Sequence, residues 1–181
     1  MTNMQTSRYF VNVPLERLFE VFLAGPDRFR RSISGVTEEQ MRSHPITGKW
    51  SIKEIAVHLV DSEMVAAVRF RQAITSSDSN LAFYDQDIWA KDLQYQEMTD
   101  AYVESALALF AGIRITTASL LSYMPEDIWQ RAGIHPRRGR MTVREMFGLY
   151  AGHCERHIAQ ILERRRLLGN PLEMQPLLSL D

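Results

Sequence analysis

The stretch SIKEIAVHLVDSE, residues 51–63, indicates where one long helix of this chain begins. Ser51 and Glu54 have the capping-box spacing, in which the serine hydroxyl accepts from a backbone N–H three residues on and the glutamate reaches back. Apolar residues follow at helical intervals, and His58 lies at the margin of their stripe. The pattern predicts a helix from residue 51 to about Thr75 that carries His58 beside the core.

Two further helices can be recognised in the second half of the chain. Thr142 and Glu145 repeat the capping-box form and predict a helix to about Leu168, where the sequence Gly169-Asn170-Pro171 ends it. Between the two capping boxes, apolar residues recur every three or four positions from about Asp100 to Ser122. This spacing predicts another long helix.

The first helix has a less regular pattern. Pro14 suits a first helical position, and apolar residues follow it at helical spacing. Gly25-Pro26 is expected to break or kink this helix before it resumes over residues 27–34. With two long irregular connections, residues 76–99 and 123–141, and no convincing strand, the chain is predicted to be an all-α four-helix bundle with long crossover connections.

Composition narrows the class of protein. With 181 residues, 45% of them hydrophobic, the chain can bury one core, so residues 1–181 are expected to form a single domain. The formal net charge of -1 gives little attraction to nucleic acid or anionic membranes. A single cysteine, no leader pattern in residues 1–10 and no apolar run near about 20 residues favour a cytoplasmic protein. Whether the chain forms a homodimer is left open.

Three histidines are candidate metal ligands. His153 and His157 are four residues apart, which places both imidazoles on one face of the last helix. With His58 from another helix they could form a three-nitrogen site with open positions, as catalytic metal sites do. Spacing alone leaves the alternative that they are solvated or hydrogen-bonded side chains.

Several other polar residues have two interpretations each. Glu63 and Arg114 fall on apolar helix faces and are predicted to form a buried ion pair. Asp61, one turn beyond His58, is a weak candidate to orient a ligand or a bound water, and a solvated surface position is the alternative. Cys154 is expected to be an inert buried thiol.

A basic segment precedes the last helix. His135 is followed closely by Arg137, Arg138 and Arg140. These side chains could meet an anionic substrate at the mouth of the site. The alternative is an exposed, solvated loop.

The sequence resembles the DinB/YfiT-like metalloenzyme superfamily over nearly its whole length. The resemblance is carried by GKWSIKEIAVHLVDSE, residues 48–63, and by YAGHCERHIAQI, residues 150–161. It implies a four-helix bundle with crossover connections and a divalent metal, nickel or zinc, bound by His58, His153 and His157. The superfamily spans thiol S-transferases, a maleylpyruvate isomerase-like branch and members of unknown activity.

The expected function follows from this resemblance. It implies a metal-dependent enzyme acting on a small-molecule substrate, of the thiol S-transferase or hydrolase type, with a low-molecular-weight thiol as a candidate second cofactor. The alternative is a non-catalytic metal-binding or stress-related protein with a structural metal. A ligand set closed by a fourth side chain would favour the alternative, and a pocket beside an open site would favour the enzyme.

Overall fold

The computed structural model describes residues 9–179. Its long helices are α1 (Leu15–Ile33), α3 (Ile52–Thr75), α5 (Asp100–Tyr123) and α6 (Val143–Leu167). The connections contain α2 (Glu38–Arg42), α4 (Gln86–Asp92), two short 3-10 turns (Tyr95–Glu97 and Glu126–Gln130), and the strands β1 (Ala132–His135) and β2 (Gly139–Thr142).

The four long helices form the predicted bundle. Helices α1 and α3 each pack against both α5 and α6, so α1 and α3 lie diagonally opposite each other. The connection from α5 to α6 therefore crosses the bundle, whereas residues 76–99 join the neighbouring helices α3 and α5. The all-α prediction is confirmed for the bundle.

Both predicted capping boxes are present. The Ser51 hydroxyl accepts from the Glu54 N–H at 3.1 Å, and the Ser51 N–H donates to the Glu54 carboxylate at 2.8 Å. Thr142 and Glu145 make the same two bonds, at 3.1 and 2.8 Å. These side chains satisfy N–H groups that have no partner inside a helix, which explains why α3 and α6 begin where they do.

The prediction that residues 123–141 contain no strand was wrong. They include β1, which pairs antiparallel with β2 from Ala132 opposite Thr142 to His135 opposite Gly139. The other edge of β1 bonds to the α3–α5 connection, where the Ile134 N–H donates to the Ser79 carbonyl at 2.8 Å. The α3–α5 connection and the α5–α6 connection are thus hydrogen-bonded to each other.

Of the break or kink predicted at Gly25-Pro26, the break was wrong, because α1 is continuous through both residues, and the kink stays a prediction. Pro26 has no N–H to donate to the Phe22 carbonyl one turn earlier. The Arg114 guanidinium donates to that carbonyl instead, at 3.0 Å. A Cβ on residue 25 would lie 2.2 Å from Nη1 of Arg114, so only glycine leaves room for this contact.

Arg114 also forms the predicted buried ion pair. Its Nη2 lies 3.2 Å from the Glu63 carboxylate, and both side chains are almost wholly buried. The same nitrogen donates to the Tyr150 carbonyl at 2.8 Å. Arg114 on α5 therefore contacts α1, α3 and α6 through one guanidinium group.

Helix α5 is the most apolar of the long helices. By length and composition alone it could span a bilayer. Arg114 in its middle is nevertheless fully buried against the other bundle helices. Helix α5 thus packs against the bundle through Arg114, although only 39% of its most apolar window is buried.

Glu63→Ala should lower the free energy of unfolding by about 3 to 5 kcal/mol, because it leaves the Arg114 cation buried without its carboxylate. Urea denaturation followed by circular dichroism measures this change. Glu20→Ala is the matched control, since Glu20 forms an exposed ion pair with Arg17 and should contribute less than about 1 kcal/mol. Equal stabilities of the two variants would contradict the prediction.

Candidate metal centre

The structure brings the three predicted histidines together. His58 extends from α3, and His153 and His157 extend from successive turns of α6. The Nε2 atom of His153 lies 3.4 Å from Nε2 of His58 and 3.0 Å from Nε2 of His157. One nitrogen from each ring lies within 4.8 Å of the other two.

Two of the three nitrogen separations fit ligands of one ion. Zinc–nitrogen bonds of about 2.0 to 2.1 Å in tetrahedral geometry place two ligand nitrogens about 3.3 Å apart. The separations of 3.0 and 3.4 Å lie on either side of that value. Imidazole nitrogen is also a ligand type that both zinc and nickel bind well.

The surroundings keep the three imidazoles neutral. Burial, together with the charge of a protonated His157, lowers the pKa of His58 to about 3. Burial is also the main reason that the pKa of His157 falls to about 4 and that of His153 falls well below its ordinary value. Neutral imidazole is the form that binds a metal.

Two neighbours fix individual rings. Gln160, one turn after His157, has its side-chain oxygen 2.9 Å from Nδ1 of His157. This contact places the ring proton on Nδ1 and leaves the lone pair of Nε2 free to bind a metal ion. The indole of Trp50 packs against the His58 ring, with ring centroids 4.8 Å apart. We did not predict Gln160 from the sequence, although its spacing of three from His157 was a usable signal.

Asp61 is not the solvated residue that we gave as an alternative, since only 4% of its surface is exposed. Its carboxylate accepts from the Tyr95 hydroxyl at 2.5 Å. Burial raises its pKa, and this hydrogen bond offsets part of the rise. Within residues 9–179 it makes no hydrogen bond to the three histidines, so its role in orienting a ligand stays a prediction.

Cys154 matches its prediction. The side chain is buried, and burial raises the pKa of its thiol to about 12 despite the nearby Arg114 cation. A thiol with such a pKa is protonated at neutral pH and is a poor nucleophile.

A cavity of about 570 Å³ opens beside His153 and His157. Its walls include four arginines and a further histidine, namely Arg69, Arg137, Arg138, Arg156 and His135. No carboxylate lines it in the part of the chain that the structure describes. The alternative of a solvated loop is wrong for His135, which is buried in β1. Arg140 is exposed, as that alternative expected, but it lies in β2 and pairs with Asp78.

The family model of the DinB superfamily matches residues 22–161. The chain belongs to the DinB superfamily. A relative from Geobacillus thermodenitrificans, named as a candidate metal-dependent hydrolase, is 28% identical over 146 residues that cover 80% of each protein.

Solved structures agree with this assignment. YfiT from Bacillus subtilis, described as a probable metal-dependent hydrolase with an unusual four-helix bundle topology, superposes with a TM-score of 0.79 at 25% identity. The match covers 85% of this chain and 87% of YfiT. A mycothiol-dependent maleylpyruvate isomerase has a TM-score of 0.66 at 12% identity, covering 83% of this chain and 61% of the isomerase. The second match supports the shared fold alone.

Substituting His153 or His157 by Ala should remove most of the bound metal, because two nitrogens hold a divalent ion much less tightly than three. Plasma mass spectrometry of protein purified without an affinity tag gives the metal content. His135→Ala is the matched control, since this buried histidine lines the same cavity outside the cluster. Wild-type metal content in both ligand variants would place the metal elsewhere.

The metal-free protein should become less stable as the pH falls from about 6.5 to about 4. The folded-state pKa of His58 is about 3 and that of His157 about 4, below the ordinary value of 6.5. The unfolded chain therefore binds protons in this interval that the folded chain does not. Each histidine can lower the free energy of unfolding by up to about 1.4 kcal/mol per pH unit.

Urea denaturation with a chelator present, at about pH 7 and about pH 5, measures this loss. His157→Gln should show a smaller difference between the two pH values, because it removes one of the depressed pKa values. A wild-type protein equally stable at both values would show that these histidines are not buried in neutral form.

Proposed function

We propose that the protein is a metal-dependent enzyme that acts on a small molecule through His58, His153 and His157. The observation that carries this proposal is the convergence of three imidazole nitrogens beside a cavity of about 570 Å³. A divalent ion held there, nickel or zinc, would supply a Lewis acid and make a water or a thiol nucleophilic near neutral pH. The metal-dependent names of the relatives support the same function.

The residues favour an open catalytic metal site over a closed structural one. Structural zinc sites are closed by four protein ligands. In residues 9–179, the cluster contains three histidines and no fourth His, Cys, Asp or Glu. The adjoining cavity is large enough for a small molecule, which a structural ion does not require.

The cavity walls favour a thiol nucleophile over water. Zinc peptidases of the H-E-x-x-H type use a glutamate as general base toward water. No carboxylate lines this cavity among the described residues, and the buried His135 has a pKa near 4, which makes it a weak base. A thiol would need less help, because a thiol that binds a metal ion releases its proton to solvent and binds as the thiolate. Transfer of a low-molecular-weight thiol to an electrophile is therefore our first candidate reaction, and hydrolysis is the second.

The chain's own residues would position the reactants. Tyr84 and Tyr150 line the cavity, and burial raises the pKa of Tyr150 to about 12, so its hydroxyl stays protonated. The Tyr84 pKa is raised by burial as well. Two neutral hydroxyl groups are suited to donate hydrogen bonds to a substrate oxygen as it gains negative charge.

The test is a pair of assays on zinc- and nickel-loaded protein. One follows conjugation of cysteine or glutathione to 1-chloro-2,4-dinitrobenzene, and the other follows ester hydrolysis without thiol. We expect thiol conjugation that rises with pH around 7 and is lost on chelation and in His153→Ala. The control His44→Ala should keep wild-type activity, because His44 pairs with Glu54 away from the cavity. Metal-dependent hydrolysis without thiol transfer would select the second reaction.

The absorption spectrum of the cobalt-substituted protein tests the site independently of any substrate. An open site should change its spectrum when a thiol or azide is added. A spectrum insensitive to both would indicate a closed structural site and would overturn the enzyme proposal.

A further inference from the structure

We infer that the cavity beside the histidine cluster binds the oxyanion group, carboxylate or phosphate, of an acidic small molecule, through Arg69, Arg138 and His135. This inference rests on the proposed function for the idea that the bound molecule is a substrate. Anion binding itself needs only the residues of the cavity wall.

Arg69 is the central residue of this subsite. It is 6% exposed, and its guanidinium donates to the Ala82 carbonyl at 2.8 Å and to the Tyr150 hydroxyl at 2.6 Å. Both partners are neutral, and no carboxylate of residues 9–179 forms an ion pair with it. Its Nη2 group makes no hydrogen bond to a described residue. A buried cation with neutral partners is costly, and an anion in the cavity would remove that cost.

Arg114 is a buried arginine with a structural role and can be compared with Arg69. Arg114 has a carboxylate partner, Glu63, at 3.2 Å, and does not line the cavity. Arg69 faces the cavity and lacks such a partner. The difference favours a ligand as the counter-charge of Arg69.

The hairpin turn supplies two more donors. The His135 Nδ1 accepts from the Arg137 backbone N–H at 3.1 Å, so the neutral ring carries its proton on Nε2. Burial, with the nearby Arg69 and Arg138, lowers the pKa of His135 to about 4 and keeps the ring neutral. Arg138 lines the cavity and forms no ion pair within the described chain. We therefore assign one neutral N–H and two guanidinium groups of the cavity wall as donors to the proposed oxyanion.

Arg137 is a weaker candidate for anion binding. Its guanidinium already pairs with Asp85 at 2.5 Å and stacks over the Phe83 ring at 5.0 Å. Because this guanidinium already binds Asp85, we assign Arg137 to holding the hairpin turn against the α3–α5 connection.

Tyr150 relates this subsite to the histidines. Its hydroxyl accepts from Arg69, and its ring centroid lies 6.2 Å from that of His153. Arg69 and His153 both line the cavity, and Tyr150 contacts both of them. A small molecule whose oxyanion binds Arg69 could therefore extend toward the histidines.

The test is isothermal titration of the metal-free protein with malonate and, separately, with inorganic phosphate. Arg138→Gln should weaken binding by about tenfold, since a hydrogen bond to a charged group is lost. Arg140→Gln is the matched control, because Arg140 lies on the same hairpin but pairs with Asp78 outside the cavity. Arg69→Gln should weaken binding further, and a thermal melt checks that this buried variant remains folded.

Weaker binding in Arg138→Gln than in Arg140→Gln supports the subsite, and the tighter of the two probes identifies carboxylate or phosphate as its preferred group. Equal losses in the two variants would indicate general attraction to positive charge and would overturn the inference. No binding of either probe at millimolar concentration would also overturn it, even if the protein binds metal. Anion binding by a protein that takes up no metal would keep the subsite and overturn the proposed function.

Discussion

The buried guanidinium of Arg114 is the interaction on which the arrangement of the bundle depends. It extends from α5, pairs with Glu63 on α3, and donates to the carbonyls of Phe22 on α1 and Tyr150 on α6. Four long helices therefore meet at one side chain. Because a buried charge is tolerated only with its partners in place, this contact fixes how the helices slide and rotate against one another. His58 and His153 lie close to Glu63 and Tyr150 along their helices, so the same contact helps bring them together.

Tyr150 connects the bundle core to the cavity. Its backbone carbonyl accepts from Arg114, while its hydroxyl accepts from Arg69 on the cavity wall. His153 follows it by three residues on the same helix face. A shift of α6 would therefore disturb three features at once, namely the central ion pair, the cationic wall and the histidine cluster. The three histidines lie on packed helices, and such positions are more precise than positions in loops.

The sequence predicted features that depend on residues near each other in the chain. The capping boxes, the spacing of His153 and His157, and the burial of Glu63 all follow from helical periodicity. Features that depend on distant partners were missed. Helix α1 continues through Pro26 because Arg114 replaces the absent N–H donor, and no local pattern reveals this. The strands have four residues each, too few for alternation to be recognised. Asp61 is hydrogen-bonded by Tyr95 from a short turn, a partner 34 residues away in the chain.

The site divides between two kinds of structure. Helices α3 and α6 provide the three histidines, whereas the α3–α5 connection and the β hairpin provide Tyr84, His135 and Arg138. These connections are joined through β1 and form a wall that does not belong to the bundle. Helix positions are constrained by packing, while connections accept substitutions more readily. We therefore expect relatives that keep the three histidines to differ in this wall, so that the bundle determines the metal chemistry and the connections determine which molecule is bound.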